Sequence, residues 1–126
     1  MTSDGIGAPP AGPDGTPPHL AVGRVGERIA ASFLRRRGFA VVATNVRVGR
    51  DEIDIVAVGP TGTVAVEVKT VVVGSGIDPA DHFDAAKVRH LRRAMRRSRP
   101  PIGRLDLITV ELTGRGASVR WLADVA

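Results

Sequence analysis

The sequence contains no cysteine and no tyrosine, and only one tryptophan and three phenylalanines. Without cysteine there are no disulfides, no thiolate nucleophile and no cysteine-based zinc site. So few aromatic rings argue against recognition of single strands by base stacking. No stretch approaches the roughly 20 apolar residues that span a bilayer. The start of the chain lacks the basic and apolar regions of a signal peptide. These absences point to a cytoplasmic protein with no membrane partner.

What is present is aliphatic and basic. At 126 residues the chain is one domain with a modest core. The net charge is +5, and all but two of the 18 cationic residues are Arg, whose planar fork suits phosphate. Such a balance fits nucleic acid, an acidic protein or an anionic surface. Compositional bias accounts for Arg in place of Lys equally well, but not for where the arginines cluster.

Residues 1–18, MTSDGIGAPPAGPDGTPP, are Pro- and Gly-rich with almost nothing to bury, and read as a disordered tail before a single domain over 19–126. Val22, Val25, Ile29, Ala30, Phe33 and Leu34 recur at helical spacing over 21–37, and Gly38 is a natural stop. Strands are expected over 39–44, 52–58 and 63–73, with 45–50 as a turn or short hairpin arm and a tight turn at Gly59–Gly62. Asp78-Pro79 reads as the start of a second helix running to about Arg97, closed by Pro100-Pro101. Two strands follow, over 104–112 and 117–122. The order α-β-β-β-α-β-β predicts an α/β domain with a mixed central sheet flanked by helices.

The segment V-A-V-E-V-K-T, residues 64–70, places Glu67 and Lys69 in an apolar strand. Residues two apart share a face, so these two project together with Ala65, while Val64, Val66 and Val68 fill the other side. By the same rule Glu52 and Asp54 share a face, opposite Ile53, Ile55 and Ala57. If the two strands pair through the Gly59–Gly62 turn, Asp54 and Glu67 come side by side. Burying two carboxylates costs too much unless something pairs them. A divalent cation does so, since Mg²⁺ takes hard oxygen ligands. Two acids and a lysine in the pattern D-x₁₂-E-x-K can then converge on a scissile phosphate. A cross-strand salt bridge between Lys69 and Glu67 or Glu52 is the plainer alternative.

Further motifs extend this stretch: G-E-R-I-A-A-S-F-L-R-R-R-G-F, N-V-R, G-R-D-E-I-D-I-V-A-V, Lys87, and Arg104-Leu105-Asp106. Together, over roughly residues 22–112, they resemble the YraN family of small bacterial proteins, also called UPF0102. The resemblance implies a restriction-endonuclease-like fold of the PD-(D/E)xK type, similar to archaeal Holliday-junction resolvases. It further implies metal-dependent hydrolysis of phosphodiester bonds in DNA, with branched or recombination intermediates as candidate substrates. Asp54, Glu67 and the Val68 carbonyl would hold Mg²⁺ or Mn²⁺, Lys69 would be the catalytic cation, and Glu27 a helix-borne acid facing the same site. Glu27 also fits a simpler role as a first-turn acid favoured by the helix dipole. Two departures from the family pattern, Asp51 before E-I-D and Val71 after the motif lysine, add charge near the site and remove an arginine.

Residues 87–104 hold eight cations and no acid. On a helical projection Arg89, Arg92, Arg93, Arg96 and Arg97 form a stripe opposite Val88, Leu91 and Met95. With Lys87, this stripe is the expected nucleic-acid-binding surface, tracking the phosphates of duplex or branched DNA. A solvated helix face is the alternative for the arginines, and Lys87, at the stripe's edge, could reach the catalytic sheet instead. A protein that keeps the fold but does not cut, serving DNA uptake or repair, is the competing functional reading. Whether the chain forms a homodimer is left open.

Overall fold

The computed structural model describes residues 18–74 and 85–125. The tail expected over 1–18 lies, except for Pro18, outside the described residues, as does the expected helix start at Asp78-Pro79. The element order is α1 (Pro18–Arg36), β1 (Ala40–Val48), β2 (Asp51–Gly59), β3 (Gly62–Val72), α2 (Ala85–Arg97), β4 (Arg104–Thr113) and β5 (Gly116–Leu122). That is the α-β-β-β-α-β-β order read from the sequence.

The five strands form one sheet in sequence order. β1, β2 and β3 are joined antiparallel, β3 and β4 run parallel, and β5 returns antiparallel to β4. Parallel neighbours need a crossover, and the segment carrying α2 supplies it. The sheet is therefore mixed, with the parallel pair at its centre.

Each helix covers one face. Ala30, Ala31 and Leu34 of α1 pack with Ile55, Ala57, Val64, Val66, Val68, Ile108 and Val110. Leu91, Ala94 and Met95 of α2 pack with Ile53, Ala65, Ile102 and Leu105. On β3 the alternation is as expected, with odd and even positions dividing between the two cores. α1 ends at Gly38, whose φ of +90° is left-handed. The Phe39 N–H bonds the Leu34 carbonyl and the Gly38 N–H that of Arg35, the paired closure that satisfies the last helical carbonyls.

Two expectations need correction. Asn45–Val48, expected as a turn or short arm, continues β1. The face rule also fails on β2, because Ile55 and Ala57 belong to the α1 core while Ile53 belongs to the α2 core. β1 switches with it: Thr44 pairs with Ile55 and Val46 with Ile53, so Thr44 and Val46 lie on opposite sides although two apart. A further irregularity lies between Val41 and Ala43. Between the switched pairs Thr44–Ile55 and Val46–Ile53 stands Asn45, with φ +52°. A left-handed residue inside a strand turns the ribbon, and this one does so at the level of Asp54.

β4 and the C-terminal segment are tied by Asp106, which is fully buried. It accepts hydrogen bonds from Arg104 Nε and an Arg104 terminal nitrogen at 2.9 Å each, from Trp121 Nε1 at 2.9 Å and from the Asp124 N–H at 2.8 Å. The Arg104-Leu105-Asp106 run therefore clamps β5 and the residues after it. Trp121 in turn meets the Phe33 and Phe39 rings edge-on.

Candidate active site

The β2–β3 ladder runs from Gly59–Gly62 to Ile55–Val66 and stops there. The ribbon turn at Asn45 carries β2 away from β3 just beyond this pair, and Asp54 is the first residue past it. The Val68 N–H donates to Asp54 Oδ2 at 2.9 Å, so the carboxyl takes over the acceptor role that the departing backbone gives up. The fork is held together by a side chain.

Glu67 sits on β3 at the same level and is only 2 % exposed. Lys69 Nζ and Lys87 Nζ both lie 3.3 Å from Glu67 Oε2. Glu67 Oε1 is buried with no hydrogen-bond donor among the described residues. A buried carboxylate oxygen without a partner costs about 1–3 kcal/mol or more, and Asp54 is its acidic neighbour. Burial, then the charge of Glu67 and a hydrogen bond to it, push the Asp54 carboxyl up to about 8; the Val68 N–H opposes this and Glu27 adds to it. The Asp54 carboxyl therefore keeps its proton through neutral pH.

Glu27 reaches the same neighbourhood from α1. The helix comes close because residue 26 is Gly: a Cβ there would collide with the Thr70 side chain on β3. Burial raises the Glu27 carboxyl above its ordinary range, a hydrogen bond from the Asn45 side chain pulls it back, and Glu52 and Glu67 push it up again. Among the described residues no three His, Asp or Glu side chains form a cluster tight enough to hold a metal ion alone. The side-chain donors at the fork are thus the Asp54 and Glu67 carboxylates, with Glu27 beside them.

The basic stripe is divided. Arg89, Arg96 and Arg97 are exposed and Arg92 half-buried on the outer side of α2. A shallow concavity of about 460 Å³ is lined by Arg89, His90, Arg92, Arg93 and Arg96. Arg93, expected to face phosphate, instead forks onto Asp51, its Nε and a terminal nitrogen at 2.8 and 2.9 Å from the two carboxylate oxygens. Hydrogen bonding to Arg93 holds the Asp51 carboxyl below its ordinary range. Asp51, expected to add charge near the site, is thereby an anchor between β2 and α2. Lys87, expected either with the phosphate stripe or reaching the catalytic sheet, takes the second course and lies on Glu67. Of the six cations grouped there, four remain on the outer face.

Asn45 had no expected role. Its signal was an Asn, tolerant of left-handed backbone, at the point where the first strand was expected to give way to a turn or short hairpin arm.

A mixed sheet sandwiched between two helices, with the buried Glu67, the half-buried Asp54 and two lysines where two strands part, defines an α/β domain with a concentrated acid–lysine site. Residues 26–110 match the family described as "Uncharacterised protein family UPF0102". The chain is 40 % identical over 96 residues to a UPF0102 protein of Symbiobacterium thermophilum, covering 71 % of this chain and 81 % of that protein. It is 38 % identical over 108 residues to one of Porphyromonas gingivalis, covering 81 % and 79 %. A UPF0102 protein of Thermotoga maritima is 41 % identical over 71 residues, 56 % of this chain and 63 % of that protein. The chain belongs to the UPF0102 family.

Proposed function

We propose that this protein is a metal-dependent nuclease that hydrolyses phosphodiester bonds in DNA. The observation that carries the reading is Glu67 Oε1, buried without a donor among the described residues, beside an Asp54 carboxyl that gives up its proton only near pH 8. A carboxyl that keeps its proton beside a second acid is poised to exchange it for a cation. The Asp54 and Glu67 carboxylates, with the Val68 carbonyl, would hold Mg²⁺ or Mn²⁺. Such an ion, when bound, polarises a phosphodiester oxygen and acidifies a coordinated water.

The remaining roles belong to the chain itself. Lys69 lies at the fork on the same face as Glu67, where its ammonium offsets negative charge developing on phosphorus. The half-buried Glu27 carboxyl, held by Asn45, is a proton acceptor within the same neighbourhood. Arg89, Arg92, Arg96 and Arg97 on the outer side of α2 would grip the phosphate backbone. The sheet order, with an antiparallel β1–β2–β3 unit beside a parallel β4, is compatible with the restriction-endonuclease-like core. Branched and recombination intermediates are the substrates to try first, on fold-level analogy.

The test is incubation of purified protein with linear, flapped and four-way-junction DNA, with Mg²⁺ or Mn²⁺, beside Asp54→Ala and Glu67→Ala. Cleavage by wild type and its loss in both variants is expected. Equal cleavage in all three would assign the activity to a contaminant. One observation favours a second reading, a DNA-binding accessory that does not cut. Lys69 and Lys87 both lie on Glu67, so its negative charge is met without a metal cation. Binding without cleavage under either metal would select it.

A further inference from the structure

Asn45 is a non-glycine residue with left-handed backbone in the middle of a strand, φ +52°. Such backbone is uncommon for residues other than Gly and tends to persist where the surroundings demand it, often at functional sites. Three features coincide at this residue. It stands between the pairs Thr44–Ile55 and Val46–Ile53, across from Asp54. Across it β2 passes from one hydrophobic core to the other, with Ile53 in the α2 core and Ile55 in the α1 core. Their β1 partners Val46 and Thr44 follow by register. Its side-chain amide donates to the carboxylate of Glu27.

We propose that Asn45 is the positioning residue of the acidic site. Its backbone turns the β1–β2 ribbon so that Asp54 enters the fork, and its side chain holds the Glu27 carboxyl beside Asp54 and Glu67. Gly would adopt the same backbone at lower cost but carries no donor. Asp would tolerate the backbone but would bring a fourth carboxyl against three others. Asn supplies both the turn and a neutral donor in one short side chain. The inference deepens the nuclease reading and rests on it for the use of the site, though not for the contact between the two residues.

The experiment compares wild type with Asn45→Gly, Glu27→Ala and the double variant. Asn45→Gly keeps the turn, so its thermal midpoint should stay level with wild type. Its Mn²⁺ affinity by titration calorimetry should fall about 10-fold, as when an outer partner of a metal site is removed. In the Glu27→Ala background Asn45→Gly should cause no further loss, because the amide acts through Glu27. Unchanged Mn²⁺ affinity, or the same loss with and without Glu27, would overturn the proposal. If wild type neither binds Mn²⁺ nor cleaves DNA, the nuclease reading fails by itself. The positional claim is then read from the Asn45 side-chain amide resonances, which should shift and exchange faster in Glu27→Ala. Resonances identical to wild type would overturn it.

Discussion

The backbone N–H of Val68 donates to Asp54 Oδ2 across 2.9 Å, one residue beyond the last pair of the β2–β3 ladder. A carboxyl here substitutes for a peptide carbonyl and lies half-buried beside a second carboxyl while doing so. Structure and titration are therefore coupled at one residue.

Asp54→Asn should stabilise the metal-free protein, increasingly so as pH rises. Burial and Glu67 raise the Asp54 carboxyl to about 8, above the roughly 3.9 of an unfolded chain. The folded state thus binds the extra proton between those values, and stability falls as pH climbs from about 4 through 8. Asn retains the acceptor for Val68 without titrating. Thermal midpoints at pH 5.5 and 8.5 without divalent cations should show a decline in wild type and a much smaller one in the variant. A rise of about 4–8 °C at pH 8.5 would correspond to 1 kcal/mol in a domain near 100 residues. Parallel pH profiles would count against a proton held by Asp54 at the fork. With Mn²⁺ present the wild-type trend should reverse, since binding requires the deprotonated pair.

Lys87 and the outer arginines should separate by salt dependence. Alanine at Arg89 or Arg96 should weaken duplex binding and reduce the slope of log affinity against log salt by about 0.9 for each phosphate no longer neutralised. Lys87→Ala should leave that slope unchanged and lower turnover about 10²-fold, because its ammonium lies on Glu67. A slope reduced in Lys87→Ala with turnover intact would return Lys87 to the phosphate stripe.

Removing Asp106 should be costly for stability and neutral for chemistry. Burial alone would raise its carboxyl, but hydrogen bonds from Arg104, the Asp124 N–H and Trp121 together hold it below the ordinary range. Its contribution is present above an unfolded carboxylate's pKa and disappears as pH falls through the lowered folded value. Asp106→Asn should cost about 3 kcal/mol or more at pH 7, since it leaves Arg104 poorly paired beside a buried site. Urea melts at pH 7 and pH 3 should find the gap between wild type and variant smaller in acid.

Gly26→Ala should displace α1. The added Cβ would meet Thr70 Oγ1, Cβ and Cγ2, and overpacking of this kind costs about 1–3 kcal/mol. Thr70→Ala removes two of those three atoms, so the double variant should recover part of the loss. Strictly additive midpoints would show that the helix approaches β3 differently.

Much of the fold could be read in advance because its signals are local. The helical spacing of Ile29, Ala30, Phe33 and Leu34, the stop at Gly38 and the alternation of V-A-V-E-V-K-T each follow from backbone geometry within a few residues. The extent of β1 was not legible, since Asn45 and Gly49 read as turn residues while only the second lies in a turn. For the site, side-by-side placement of Asp54 and Glu67 was recoverable from one short hairpin turn. That Lys87 could reach the sheet was legible at the stripe's edge. The partner of Arg93 was not, because a helical projection separates buried from outward positions but does not say what lies beneath the boundary.

Local sequence was enough to set seven elements in order, a sheet with helices on it, and a carboxylate and a lysine on one face of β3. Where the period of two breaks was settled only by tertiary packing. At Asn45 and Asp54 the β1–β2 ribbon passes from one helix to the other. That crossing opens the fork in which Asp54 bonds to Val68, Glu67 is shut off from water and Lys87 meets it from α2. Alternation is a property of a flat strand, and this site is built where two strands stop being flat.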